Sequence, residues 1–238
     1  MLQCATYSDI GGRGCNEDSV RLQRGEGDSF CLVLGDGLGG HGGGDRASDA
    51  VCRTVCDGFC GRVSPAALTD LLQEAHQSVK AMQTPQCAMK STAVVLTHAG
   101  GRTAWAHVGD SRLYHFWDGR LIFQSRDHSA SQIAVMLGEI TVDQIRFHED
   151  RSRVLRAVGQ EGALNVEAAE EVLAPGHHAW LLCSDGFWEY VLENEMEEDL
   201  RSAQDPEDWL SRMRKRLQGR IPADNDNNTA AALWLTQE

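Results

Sequence analysis

Between Gly35 and Asp45, seven of eleven residues are glycine: Gly35-Asp-Gly-Leu-Gly-Gly-His-Gly-Gly-Gly-Asp45. That density suits a loop, because glycine loses more chain entropy on ordering than any other residue. The apolar run Phe30 to Leu34 reads as a strand that delivers the chain into this loop, and a helical pattern follows it. Gly35-x-Gly37-x-x-Gly40 matches the dinucleotide-binding fingerprint, whose glycines let backbone approach a pyrophosphate. Asp36 argues against that use, since a carboxylate inside the glycine core would repel phosphate. The later chain also lacks the regular strand–helix alternation of a dinucleotide fold. No Gly-Lys-Ser/Thr follows, which excludes a P-loop. An aspartate at a strand end, followed by pliant backbone, suits a hard divalent cation that takes carboxylate and carbonyl oxygens.

Other carboxylates sit in the same kind of place. Gly109-Asp110-Ser111-Arg112 follows Ala-Trp-Ala-His-Val, and Ser184-Asp185-Gly186 follows Ala-Trp-Leu-Leu-Cys. Asp224-Asn-Asp226-Asn-Asn precedes the last apolar run, and Asn16-Glu17-Asp18 lies near the start. The aspartate-rich stretch is no EF-hand, lacking glycine at its sixth position and glutamate at its twelfth. Carboxylates brought together repel one another unless cations neutralise them.

Elsewhere the spacing predicts a helix over Asp45 to Cys60, with Cys52, Cys56 and Cys60 on one face as small apolar residues. Ser64-Pro65 reads as cap and first turn of a second helix, whose apolar positions run from Leu68 to Met82. Short β-rich runs cover Ser91–Thr97, Thr103–Val108, Arg112–Trp117, Ala179–Cys183 and Thr229–Thr236. Asp118-Gly119 predicts a type I′ hairpin turn, and Asp205-Pro206 opens a third helix. Strands in series with helices in blocks imply an α+β fold with antiparallel sheets. No linker composition interrupts the 238 residues, which read as one domain. The formal net charge of −13 argues against nucleic acid and anionic membrane as partners. No run approaches the ~20 apolar residues of a membrane span, and no signal peptide is recognisable. Eight cysteines without a Cys-x-x-Cys fit a reduced, cytoplasmic protein.

Arg13-Gly-Cys-Asn16-Glu17-Asp18-Ser19, Asp36-Gly37-Leu-Gly-Gly-His41, Gly109-Asp110-Ser111-Arg112, Asp127-His128-Ser129, Ser184-Asp185-Gly186 and Asp226-Asn227-Asn-Thr229 occur in this order. Together they resemble the metal-dependent protein phosphatases, the type 2C serine/threonine family, in its short bacterial stand-alone form. The resemblance implies a four-layer αββα sandwich, two stacked and mainly antiparallel sheets flanked by helices. It implies a pair of Mn²⁺ or Mg²⁺ ions bridged by Asp36, with the Gly37 carbonyl, Asp185 and Asp226 as further ligands. Asp110 with Asp185 would hold a weaker third ion, and Glu17 and Asp18 would act through coordinated water. Arg13 would bind the substrate phosphate. A hydroxide generated between the ions would attack phosphorus in line, with no covalent enzyme intermediate. Where some members carry a histidine, this chain has Leu38, which cannot donate a proton. His41 and His128 are assigned structural or surface roles. The irregular segment from about 128 to 160 corresponds to the family's flap, and its Arg151, Arg153 and Arg156 read either as phosphopeptide contacts or as a solvated helix face. The implied partner is a phosphorylated protein, in a monomeric enzyme that opposes a bacterial serine/threonine kinase.

Two rivals remain. Cys15 with Arg21, and Cys56 with Arg62, match the Cys-x₅-Arg spacing of thiolate phosphatases. Acidic neighbours disfavour a thiolate in both. A pseudophosphatase-type phosphoprotein-binding or regulatory module is the non-enzymatic alternative.

Overall fold

The computed structural model describes residues 2–38, 40 and 42–237. Among these, ten strands form two five-stranded sheets. One has the order β1 (Leu2–Asp9), β10 (Asn228–Gln237), β9 (Gly176–Cys183), β6 (Arg112–Trp117), β7 (Arg120–Gln124). The other runs β2 (Asp18–Arg24), β3 (Phe30–Asp36), β4 (Ala93–Ala99), β5 (Arg102–Val108), β8 (Glu167–Val172). Neighbouring strands in both are antiparallel. Helices α1 (Gly44–Gly58) and α2 (Pro65–Met82) pack on the second sheet, and α4 (Asp185–Trp188), α5 (Glu193–Ser202) and α6 (Pro206–Gln218) on the first. The short α3 (Ala130–Met136) and a 3-10 helix, Val142–Phe147, belong to the flap.

The layers follow from alternation along the central strands. In β3, Phe30, Leu32 and Leu34 face the other sheet and meet Trp180, Leu182 and Leu233. Cys31 and Val33 point the opposite way, into α1 and α2. Both faces are buried, so such strands are apolar at every position rather than every second one. This is the expected αββα sandwich.

Local signals hold where the chemistry is local. Ser64 accepts the Ala67 N–H at 3.2 Å, and Asp205 accepts that of Asp208 at 2.8 Å. Asp118 and Gly119 take φ of 46° and 76°, the two left-handed centres a type I′ turn requires. The cysteine face is a correction. α1 stops at Gly58, so Cys60 lies beyond it and is exposed, while Cys52 and Cys56 are buried. Strands β1, β2 and β8 carry no clear apolar pattern. Glu-Ala-Ala-Glu-Glu-Val in β8 is extended because it pairs with β5 at the sheet edge, where charged side chains deter further pairing. Among the described residues no helix is long and apolar enough to cross a membrane.

Candidate active site

Strands β2 and β3 pair so that Asp18 lies opposite Asp36 at their ends. Ser184 turns the chain from β9 into α4, whose first residue is Asp185. Asp226 arrives just before β10, and Asp110 lies in the turn between β5 and β6. Arg13, Glu17, Asp36, Gly37, Asp110, Asp185 and Asp226 thereby line one cleft of about 670 Å³. Asp18 stands behind them and is only 8% exposed.

Polar side chains stitch these ends together across the two sheets. Ser184 Oγ donates to Asp18 Oδ2 at 2.7 Å and accepts the Thr229 N–H at 3.0 Å. Asn227 accepts the Glu17 N–H at 2.8 Å and donates to the Ile10 and Cys15 carbonyls. Thr92 Oγ1 accepts the Asp36 N–H at 3.0 Å and lies 2.7 Å from Ser111 Oγ. Behind the Asp110 turn, Arg112 makes two bonds to Asp127, at 2.8 and 2.7 Å, with both side chains 2% exposed. Its guanidinium stacks on Trp188, whose indole N–H donates to the Asp110 carbonyl. Breaking such a buried pair costs about 3–5 kcal/mol, which makes this turn stiff.

The cluster is electrostatically uncomfortable by itself. Burial, then Asp18, Asp185 and Asp110, push the Asp36 carboxyl well above its ordinary range. Burial and then Asp110 do the same to Asp185. Asp110 is raised to about 7 by burial and by Asp127, and Asp18 to about 6, chiefly by burial. Burial also raises Glu17. Asp18 Oδ1 and Asp110 Oδ2 are buried without a hydrogen-bond partner among the described residues. An oxygen-only donor set with excess negative charge and unpartnered oxygens fits hard divalent cations.

These shifts carry a sign. A carboxyl with a raised folded pKa stabilises the fold fully below its unfolded value and loses that contribution as pH climbs through the folded value. For Asp110 the loss begins in the ordinary carboxylate range and is complete just above pH 7. In chelator, the protein should therefore melt higher at pH 6.5 than at pH 8. Buried neutral histidines act oppositely from about pH 6.5 downward, where the unfolded imidazole takes up its proton, His128 being held down to about 3 by burial. Melting curves in EDTA test this, and a lower melting temperature at pH 6.5 would contradict it.

Gly37 admits close chain packing: a Cβ there would lie 2.3 Å from Gly44 backbone and 2.7 Å from the Glu17 carbonyl. Gly186 is tighter, 2.1 Å from the Asn227 carbonyl. Arg13 reaches the cleft and pairs with Asp226 at 2.7 Å. Arg153 lines the cleft with Ser152 and Val154, whereas Arg151 is held by Glu189 at 2.9 Å. Residues 151–156 are not helical, which removes the helix-face reading. Leu38 lines the cleft, and His41 lies outside the described residues. Neither Cys-x₅-Arg match forms a phosphate loop. Arg21 leaves Cys15 to pair with Asp49, and Cys56 is buried within α1. Ser184, Thr92 and Asn227 escaped sequence reasoning as positioning groups. A second hollow of about 500 Å³, beside Trp234 and Leu200 at the far end of β9 and β10, gathers no carboxylate cluster.

The fold and this cleft define a metal-dependent phosphatase type, and comparison with known proteins agrees. The family model described as Protein phosphatase 2C matches residues 7–233, so the chain belongs to that family and is a protein serine/threonine phosphatase. Serine/threonine phosphatase stp of Listeria monocytogenes is 30% identical over 199 residues, 79% of this chain and 78% of the relative. The solved serine/threonine phosphatase PstP/Ppp of Mycobacterium tuberculosis is 30% identical, with a TM-score of 0.84 over 99% of each chain. A PstP catalytic domain solved in complex with two manganese ions is 29% identical, with a TM-score of 0.80 over 99% of each chain.

Proposed function

We propose that this enzyme hydrolyses phosphoserine and phosphothreonine in proteins by direct attack of water on phosphorus, using Mn²⁺ or Mg²⁺ held by the carboxylate cluster. The observation that carries this is the convergence of Asp36, Asp110, Asp185 and Asp226 in one cleft, with Asp110 Oδ2 and Asp18 Oδ1 buried without a hydrogen-bond partner among the described residues. Asp36 would be shared between two ions, with the Gly37 carbonyl beside it and Asp185 and Asp226 completing the set. Asp110 with Asp185 would hold a weaker third ion, and Glu17 and Asp18 would lie in the outer coordination sphere. When bound, the ions supply Lewis acidity, which offsets the charge of the phosphate and acidifies water toward neutral pH.

The chain's own residues orient the substrate. Arg13 stands at the cleft with more than half its side chain exposed, and its planar fork matches phosphate oxygens. Leu38 offers no proton to the leaving alkoxide. Arg153, at the flap side, adds positive charge facing the cleft. The cysteines, unpaired among the described residues, suit a reducing cytoplasm. There a single-domain monomer would oppose a serine/threonine kinase, a role that suits relatives named as serine/threonine phosphatases.

Direct attack leaves no phosphorylated protein. Acid quenching during turnover of a ³²P-phosphothreonine peptide should find no label on the chain, and a stoichiometric burst of labelled enzyme would overturn the reading. Arg13→Ala should raise KM for the peptide roughly tenfold or more, the scale of one lost charge-assisted hydrogen bond. Affinity for Mn²⁺ should not fall, because Asp226 loses only a competing cation. Calorimetry showing weakened Mn²⁺ binding with unchanged KM would reverse the assignment.

A further inference from the structure

His128 stands at the neck of the flap, one residue beyond the Asp127 that grips Arg112. Its backbone N–H donates to the Gly109 carbonyl at 2.9 Å, and its ring Nδ1 accepts the Gly109 N–H at 3.1 Å. Its own carbonyl accepts the Leu155 N–H at 2.8 Å, and the next residue, Ser129, bridges to Val154. One residue thus joins the turn that carries Asp110 to the returning flap strand that lines the cleft. We propose that His128 is a positioning residue, whose ring clasps Gly109 so that Asp110 and the flap keep one fixed relation to the cleft. The inference rests on the reading of Asp110 as a cation ligand.

The surroundings hold the ring in the form the clasp needs. Gly109 has φ of 108°, a conformation other residues rarely adopt, so its N–H points where an ordinary turn would not send it. Nδ1 must carry a lone pair to accept that N–H, which puts the proton of the neutral ring on Nε2. Nε2 is 3.5 Å from a Glu167 carboxylate oxygen. The ring stacks on His107 with centroids 4.6 Å apart, and His107 Nε2 donates to the Arg126 carbonyl at 2.7 Å, leaving its Nδ1 as an acceptor. His107, His128 and Glu167 each bring a potential ligand atom within 4.8 Å of the others, as a metal site would. The His128 tautomer speaks against a metal there, because a cation would meet an N–H. Nε2 makes no hydrogen bond among the described residues, but the Glu167 charge 3.5 Å away favours a proton there and so leaves Nδ1 bare for Gly109. Burial holds the ring neutral by lowering its pKa to about 3, so the clasp persists through the enzyme's working range.

Two substitutions separate the clasp from simple filling of space. His128→Phe keeps an aromatic ring in the stack, somewhat enlarged, but offers no acceptor. His128→Asn loses the volume but places Oδ1 close to where Nδ1 stands, and so can accept the Gly109 N–H. The readouts are kcat and KM on a phosphothreonine peptide, the Mn²⁺ concentration for half activity, and melting temperature. The Phe variant should lose roughly ten- to a hundredfold in kcat, the scale of a small misplacement at a reacting centre, and should need several times more Mn²⁺. The Asn variant should recover most of both, even if it melts lower. Phe kinetics like wild type, or Asn as impaired as Phe, would overturn the inference. In an Asp110→Asn background the Phe substitution should cost little more, and a full additional loss there would also overturn it. If Asp110→Asn alone kept wild-type turnover and Mn²⁺ dependence, the ligand reading of Asp110 would fail, a result distinct from failure of the clasp.

Discussion

Asp185→Asn should remove nearly all turnover while leaving the protein folded. Asp185 begins α4 directly after β9, in a position an isosteric amide fits without a cavity. The amide is neutral, and its nitrogen cannot ligate a cation. The carboxyl it replaces is pushed up by burial and by Asp110, Glu189, Asp226 and Asp18, so it belongs to a cluster that repels itself. In metal-free protein the substitution relieves that repulsion, and the variant should melt no lower than wild type. Added Mn²⁺ should then raise the melting temperature of wild type more than that of the variant, since an ion stabilises only the state that binds it. Changes in groups that merely orient ligands cost about 10–100-fold in metal affinity or activity, and a ligand should cost at least that. Equal Mn²⁺ shifts in the two proteins, or near-normal turnover, would show that Asp185 holds no ion.

Gly186→Ala should be nearly as damaging, by another route. The new methyl would sit 2.1 Å from the Asn227 carbonyl and 3.4 Å from Asp226 Cβ. Backbone, not a pliable side-chain tip, must give way. Asn227 holds the Glu17 N–H and the Ile10 and Cys15 carbonyls, so its displacement moves Asp226 and Glu17 together relative to Asp185. Overpacking of this kind costs about 1–3 kcal/mol, and at ~2–4 °C per kcal/mol for a domain of this size the melting temperature should drop by roughly 2–12 °C. Turnover should fall further than stability explains, even at a temperature where the variant is fully folded. Wild-type melting and turnover would mean that the α4–β10 contact is looser than described.

Asp36, Asp110 and Asp185 were legible because each is a local event, an apolar run stopping at a carboxylate beside glycine, and Asp226 because an aspartate–asparagine cluster abuts the last apolar run. Ser64, Asp205 and Asp118-Gly119 were legible for the same reason: caps and tight turns are decided by two or three adjacent residues. The layer order was harder, since β3, β9 and β10 are apolar on both faces and show no period of two. Strand β8 was hidden because pairing with β5, not its own composition, extends it. The network that aligns the aspartates was invisible for a different reason. Ser184 and Asp18 are 166 positions apart, and Asn227 and Glu17 are 210, so nothing nearby in the chain announces either bond. Arg112 and Asp127 stood in recognisable motifs, yet only the folded chain shows that they neutralise each other in the interior. The glycine-rich loop leads from β3, a strand of an antiparallel sheet, into α1, so it does not open the parallel unit that a dinucleotide fingerprint requires. The need for Gly37, however, lies in backbone packing that no spacing rule reveals.

The central claim is that this carboxylate cluster works only when cations neutralise it. The most direct measurement is a Mn²⁺ titration of chelator-stripped protein, following bound metal and turnover of a phosphothreonine peptide on the same sample. Turnover should start from zero and rise in step with the uptake of two ions per chain. Full turnover in protein verified to be free of metal, or uptake of Mn²⁺ that leaves turnover unchanged, would contradict the account.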